Sequence, residues 1–284
     1  MLKRAAAIIG EAEVFIITAG AGMGVDSGLP DFRGDHGFWR AYPAYSRLGL
    51  SFVDCANPQH FAADPSFGWG FYGHRTNLYR DTVPHDGFHI IGKWIERKSA
   101  DYFVVTSNVD GQFQKAGYAG ERILEVHGSI HRLQCQIPCS SAIWRNDETI
   151  RVDEATMRAR PPLPRCPGCG EVSRPNILMF GDRSWLPDHA RIQEQAFDRF
   201  LKNNADRRIA VIEIGAGSAI PTIRATSERI GWNCEHATVI RINPREPEIK
   251  APHISMPYGA LEGLQNIDAL VSPHSGRMRF EMVR

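Results

Sequence analysis

Charge of one sign is what this sequence most lacks: 33 Lys and Arg stand against 32 Asp and Glu, a formal net charge of +1. A protein that tracks a phosphate backbone needs a cationic excess, so nucleic acid is not an expected partner. Long hydrophobic runs are also missing. No apolar stretch approaches the roughly 18 residues of a spanning helix, and no membrane partner is expected. The N-terminal MLKRAAAIIG imitates a signal peptide only until Glu11 and Glu13 interrupt it, and no small-residue cleavage site follows. It reads as a first helix entering a first strand, and a cytoplasmic location is expected. In a reducing compartment the six cysteines should be metal ligands, nucleophiles or buried thiols before they are disulfides. Internal repeats and low-complexity tracts are absent as well.

What is present is a globular composition, 43% apolar and 23% charged, which excludes disorder and coiled coil. Short, near-continuously apolar runs at 14–18, 102–106, 123–126, 209–214 and 238–242 read as strands buried on both faces. Longer amphipathic stretches such as 191–201 lie between them. That alternation predicts an α/β fold, a doubly wound, parallel, Rossmann-like sheet. Two segments break it. Residues 35–84, rich in aromatics, Gly and Pro, read as an insertion of short helices and loops. Residues 134–174 hold four cysteines and little periodicity. Together they should form a smaller lobe.

Cys135 and Cys139 are separated by three residues, Cys166 and Cys169 by two, and the pairs by 26. Two such pairs can converge on one tetrahedral ion, and the CPGC turn is that of a zinc knuckle. With no open ligand position in the pattern, the expectation is one closed, structural zinc. Cys55 and Cys234 have no partner by spacing and read as core thiols.

The first strand ends in Gly20-Ala21-Gly22, where backbone amides could approach a pyrophosphate. The dinucleotide fingerprint G-x-G-x-x-G fails, because Val25 stands where the third Gly belongs. The compact PDFRG that follows adds an acid, a ring and a guanidinium, Asp31, Phe32 and Arg33, for one cofactor.

With these motifs the chain resembles the sirtuins, NAD-dependent protein deacylases. GAGMGVDSGLPDFRG is similar to the family's glycine loop, TSNVDG at 106–111 to its TQNIDG, and VHGS at 126–129 to its HG motif. The four cysteines match its zinc module, RPNILMFGD at 174–182 its FGE segment, IGAG at 214–217 its GTS loop, and Ile242-Asn243 its IN pair. The resemblance spans nearly the whole chain and implies one catalytic domain over 1–284, with the insertion at 35–84, the zinc module at 134–174 and NAD on the larger lobe.

It also implies residue roles. Gly20, Ala21 and Gly22 would line the pyrophosphate and ribose, and Asp31, Phe32 and Arg33 would form the cofactor loop. Ser107, Asn108 and Asp110 would face the nicotinamide ribose and carboxamide. Gly215, Ala216, Gly217, Asn243 and Ala260 would surround the adenosine. His127 would be the general base, with Asn108 and Asp110 beside it. Ile177, Leu178, Phe180 and Gly181 would wall the channel for an acyl-lysine of a protein or peptide. Tyr72 and Arg75 resemble the Tyr-x-x-Arg pair of class III sirtuins, whose acyl pockets bind succinyl and malonyl carboxylates. His131 would be structural.

An unperturbed imidazole titrates near pH 6.5, so His127 is chemically suited to accept a proton. The implied reaction breaks the nicotinamide–ribose bond, moves the acyl group to ADP-ribose and frees lysine. Two other readings stay open: a protein mono-ADP-ribosyltransferase using the same NAD site, and an NAD-binding or NAD-hydrolysing effector. NVDGQFQKAG and LQCQIPC resemble class M sirtuins, which transfer ADP-ribose, whereas His127 favours deacylation. Glu213, a carboxylate in an otherwise apolar strand, is expected to contact a ligand hydroxyl or a loop amide.

Overall fold

The computed structural model describes residues 1–31 and 34–271. Helix α1 (Leu2–Glu11) leads into β1 (Val14–Ala19), and a 3-10 segment over Ala21–Ser27 follows. Helices α2 (Gly34–Ala41), α3 (Pro43–Arg47), α4 (Phe52–Cys55), α5 (Gln59–Ala63) and α6 (Pro65–Asp81) form the insertion. Helix α7 (Asp86–Lys98) returns the chain to β2 (Asp101–Thr106), α8 (Gln112–Lys115) and β3 (Ile123–Glu125). The cysteine region holds β4 (Gly128–Cys135), β5 (Ile143–Arg145), β6 (Val152–Asp153), β7 (Arg158–Ala159) and β8 (Ser173–Ile177). Helix α9 (Asp188–Asn204), β9 (Ile209–Ile214), α10 (Thr222–Asn233), β10 (Ala237–Ile242), β11 (Ile254–Met256) and α11 (Ala260–Asp268) complete it.

The main sheet is six-stranded and parallel, in the order β11-β10-β9-β1-β2-β3. Side chains alternate along each strand, so an apolar run supplies two cores at once. Phe15 and Ile17 pack with α1, α7 and α11 through Ile9, Trp94 and Leu264. Val14 and Ile16 pack on the opposite face with Phe197 of α9 and Ile230 of α10. Helices on both faces make this the doubly wound sheet that the run pattern implies. The chain steps from β1 to β2 on one side and later enters β9 on the other. The strand order therefore reverses between β1 and β9, the place where open α/β sheets leave a crevice at the strands' C-terminal ends.

The smaller lobe centres on an aromatic core of Phe38, Tyr45, Phe61, Trp69, Phe71 and Tyr72. The antiparallel sheet β5-β4-β8 lies beside it. The cysteine module, expected over 134–174, hangs on strands that begin at Gly128 and end at Ile177. One feature departs from the reading of 35–84 as short helices and loops: α6 runs for 17 residues. Its start is conventional, with Pro65 in the first turn and the Asp64 carboxylate accepting from the Phe67 amide at 3.1 Å. Its glycines, poor helix formers that suggest a loop, serve packing. A Cβ on Gly70 would lie 1.8 Å from the Met157 carbonyl oxygen, and one on Gly73 would lie 2.3 Å from Ile150. The glycine face lets the β6–β7 ribbon lie directly on the helix. No helix among the described residues is long and apolar enough to cross a membrane.

Candidate active site

A cavity of about 890 Å³ opens at the C-terminal ends of β1, β2, β3 and β9, between the two lobes. That volume suits a small-molecule site. Its floor is two loops packed backbone on backbone. A Cβ on Gly22 would come within 2.6 Å of the Gly215 Cα, and one on Gly20 within 2.8 Å of the Ala216 Cα. Gly215 itself has φ +61, a left-handed conformation that favours glycine. The glycines of the first loop are thus required by the second loop, a reason the sequence did not disclose.

Gly20, Ala21 and Asp31 line the cavity from the β1 side, and Gly215, Ala216 and Gly217 from the β9 side. Ser107, Asn108 and Asp110 enter from the loop after β2. Asn108 Nδ2 donates to the Gly20 carbonyl at 3.0 Å and ties the two loops together. Gly22, Asn243 and Ala260 stand outside the lining. Asn243 is fully buried: its Nδ2 donates to the Ala216 carbonyl at 2.8 Å and its Oδ1 accepts the Arg245 and Glu246 amides. It braces the β9 loop from behind. Phe32 and Arg33 lie outside the described residues.

His127 follows β3 and lines the cavity. Burial holds its imidazole below the ordinary value, and a hydrogen bond to the Ser107 backbone opposes this without overcoming it. The ring is therefore neutral at pH 7, the form that accepts a proton. Across from Ser107, the His127 carbonyl accepts the Leu178 amide at 2.9 Å, which fixes the segment 177–181 beside it. Ile177, Leu178, Phe180 and Gly181 all line the cavity. Leu178 and Phe180 are 40% and 37% exposed, so they offer apolar surface at its mouth. Asp110 is buried, and burial pushes its carboxyl up to about 6 against the pull of the Gln112 amide and Arg75. Its carbonyl pairs with His131 Nε2 at 2.9 Å, a structural role for that histidine.

The segment 177–181 is held from below by a buried ion pair. Arg174 Nη2 and Asp182 Oδ2 are 2.6 Å apart, with both side chains 0% exposed. Asp182 also accepts the amides of Met179 at 3.3 Å and Ser184 at 3.0 Å. On the small-lobe side, Tyr72, Arg75 and Tyr79 of α6 reach the same cavity. Tyr79 escaped the sequence reading because 35–84 was not read as containing so long a helix. Spacing of i, i+3 and i+7 along a 17-residue helix was the available signal.

Glu213 corrects an expectation. It neither faces a ligand nor meets a loop amide: its carboxylate pairs with Arg241 through two bonds of 2.6 and 2.9 Å, both residues buried. Register sets this, since Glu213 and Arg241 are direct neighbours on β9 and β10. Glu228 of α10 adds a third member at 2.7 Å.

The cysteine sulfurs form a separate cluster. Cys135 and Cys169 Sγ are 3.6 Å apart, Cys139 and Cys166 Sγ likewise, and all four lie within 4.8 Å of one another. A tetrahedron of thiolates about 2.3 Å from zinc has edges near 3.8 Å, so the cage fits that ion. A disulfide needs about 2.05 Å. Four sulfurs complete a tetrahedral shell, which fits a structural zinc site, and Cys55 and Cys234 are buried apart from it.

Residues 20–206 match the Sir2 family. The chain belongs to that family. An NAD-dependent protein deacylase of Thermococcus kodakarensis is 32% identical over 222 residues, 78% of this chain and 76% of the relative. One of Thermus thermophilus is 28% identical over 279 residues, 96% and 95% of the two chains. A solved Sir2 homologue–NAD complex superposes with a TM-score of 0.72 at 24% identity, covering 94% of this chain and 93% of its own. Within the Sir2 fold the cavity described above lies at the sheet's reversal point, the place where open α/β sheets leave a crevice.

Proposed function

We propose that this chain is an NAD-dependent protein-lysine deacylase of the Sir2 family, working in the cytoplasm on acylated protein or peptide substrates. The observation that carries the reading is the single cavity in which neutral His127 stands beside the apolar segment 177–181, opposite the glycine-floored loops. When bound, NAD supplies a ribose whose bond to nicotinamide breaks as the substrate's acyl oxygen attacks, and the acyl group ends on ADP-ribose.

The chain's own residues do the rest. Gly20, Ala21 and the loop 215–217 support the dinucleotide, with Asn108 and Ser107 toward its reacting ribose. His127 takes the proton of a ribose hydroxyl at its imidazole nitrogen. Leu178 and Phe180 cover the lysine stem and exclude water, while main-chain groups of the segment pair with the peptide as an added strand. Tyr72 and Arg75 on the small-lobe wall make this an acyl site for chains ending in a carboxylate, because a guanidinium and a phenol are donors matched to that group. The zinc cage holds the ends of β4 and β8 and takes no part in the chemistry.

Mass spectrometry after incubation with NAD and an acyl-lysine peptide tests the reading. O-acyl-ADP-ribose together with free lysine is the expected outcome. Protein-linked ADP-ribose without deacylation would replace it with ADP-ribosyl transfer, and free ADP-ribose alone with simple NAD hydrolysis.

A further inference from the structure

Tyr79 is a cavity residue to which the reading above gives no task. It follows Tyr72 and Arg75 on one face of α6, and all three are buried, at 5%, 1% and 6% exposure, while lining the cavity. Arg75 donates to the Tyr79 hydroxyl oxygen twice, from Nε at 3.0 Å and from Nη2 at 2.8 Å. A phenol oxygen has two acceptor positions and one proton. Both acceptor positions are taken by Arg75, so the hydroxyl proton remains to be donated. Among the described residues no side chain or backbone group receives it. Burial pushes the phenol above its ordinary value, so the proton stays on the oxygen. The guanidinium is meanwhile flanked by the rings of Phe52, Phe71, Tyr72 and Tyr79, 5.2 to 5.7 Å from their centroids. These rings restrict how it can turn.

We propose that Tyr79 binds substrate directly: its hydroxyl donates to the terminal carboxylate of an acidic acyl group and, by accepting from Arg75, turns that guanidinium toward the same carboxylate. This rests on the reading of the cavity as an acyl-lysine site and adds a specificity residue to it. A neutral acyl chain ends in a methyl group, which leaves the buried hydroxyl without an acceptor. A dicarboxylic chain such as succinyl satisfies it. An unsatisfied buried donor is costly, so Tyr79 discriminates between substrates as well as attracting one.

The test compares succinyl-, butyryl- and acetyl-lysine peptides on the parent protein, on Tyr79→Phe and on Arg75→Met. Kinetics with NAD and calorimetric peptide binding without NAD are both measured. Tyr79→Phe keeps the ring and should lower the succinyl-to-acetyl ratio of kcat/KM roughly 10- to 100-fold, chiefly through KM, with a matching loss of succinyl-peptide affinity. If Arg75→Met lowers that ratio and Tyr79→Phe leaves it within about twofold, the role of Tyr79 is overturned while the acyl site stands. Equal losses on all peptides would reduce Tyr79 to packing. A parent that takes butyryl as well as succinyl would overturn the acidic-acyl reading itself. Should Tyr79→Phe fail to fold, Tyr79→Met, which retains apolar bulk, carries the same comparison.

Discussion

Replacing Asp182 by Asn isolates the device that holds the substrate segment. The side chain keeps its shape and loses its charge, leaving Arg174 at 0% exposure facing an amide. Breaking a buried pair by removing one charge costs about 3–5 kcal/mol. The amides of Met179 and Ser184 donate to different Asp182 oxygens, so Asn keeps an acceptor for only one of them, and the middle of that range, about 4 kcal/mol, is expected. At roughly 2–4 °C per kcal/mol for a chain of this size, the thermal midpoint should fall by about 8–16 °C. Urea unfolding measures the loss, with an unchanged m-value showing that stability alone moved. The peptide KM should rise as well, because Leu178 and Phe180 ride on the segment that Asp182 pins. A paired variant, Arg174→Met with Asp182→Leu, removes both charges and should be less destabilised than the sum of the two single changes. A loss under about 1 kcal/mol for Asp182→Asn, or full additivity in the pair, would refute the argument.

Three further outcomes are expected. His127→Ala should reduce deacylation by about 10²–10⁴ while NAD binding, read by calorimetry, persists. Because burial lowers the His127 pKa, the neutral form persists to lower pH, and the acid limb of kcat/KM should fall below pH 6.5; a limb above that value contradicts the assignment. Chelation of the four-cysteine site should release about one zinc per chain by metal analysis and lower the thermal midpoint, with Cys166→Ser misfolding rather than selectively losing chemistry. Gly22→Ala places a Cβ 2.6 Å from the Gly215 Cα, so it should destabilise by about 1–3 kcal/mol and weaken NAD binding, since both loops must part.

The contrast between α6 and β1 shows where sequence reading succeeds. The run at 14–18 is apolar but for Thr18, and a strand buried on both faces is the arrangement that hides all five side chains. In α6, Gly70 and Gly73 lower helix propensity locally, and the compensation comes from a ribbon about 80 residues away in sequence. Local propensity carries no trace of that partner. Tyr79 stayed unnoticed for the same reason, although Tyr72 and Arg75, three residues apart, were legible.

The sequence by itself determined what is written in neighbouring residues: the alternating buried strands, the paired cysteines, the glycine loop after the first strand, and His127 at a strand's end. Each depends on contacts or spacings within a few positions. Only the tertiary structure decided what depends on which distant residue lies opposite. It paired Glu213 with Arg241 rather than with a ligand, made Asn243 a brace behind a loop, and gave Gly20 and Gly22 their reason in Gly215 and Ala216. It also set Tyr79 against Arg75 in one cavity with His127. Strand register and the docking of two lobes fix these pairings, and both are properties of the whole chain packed at once.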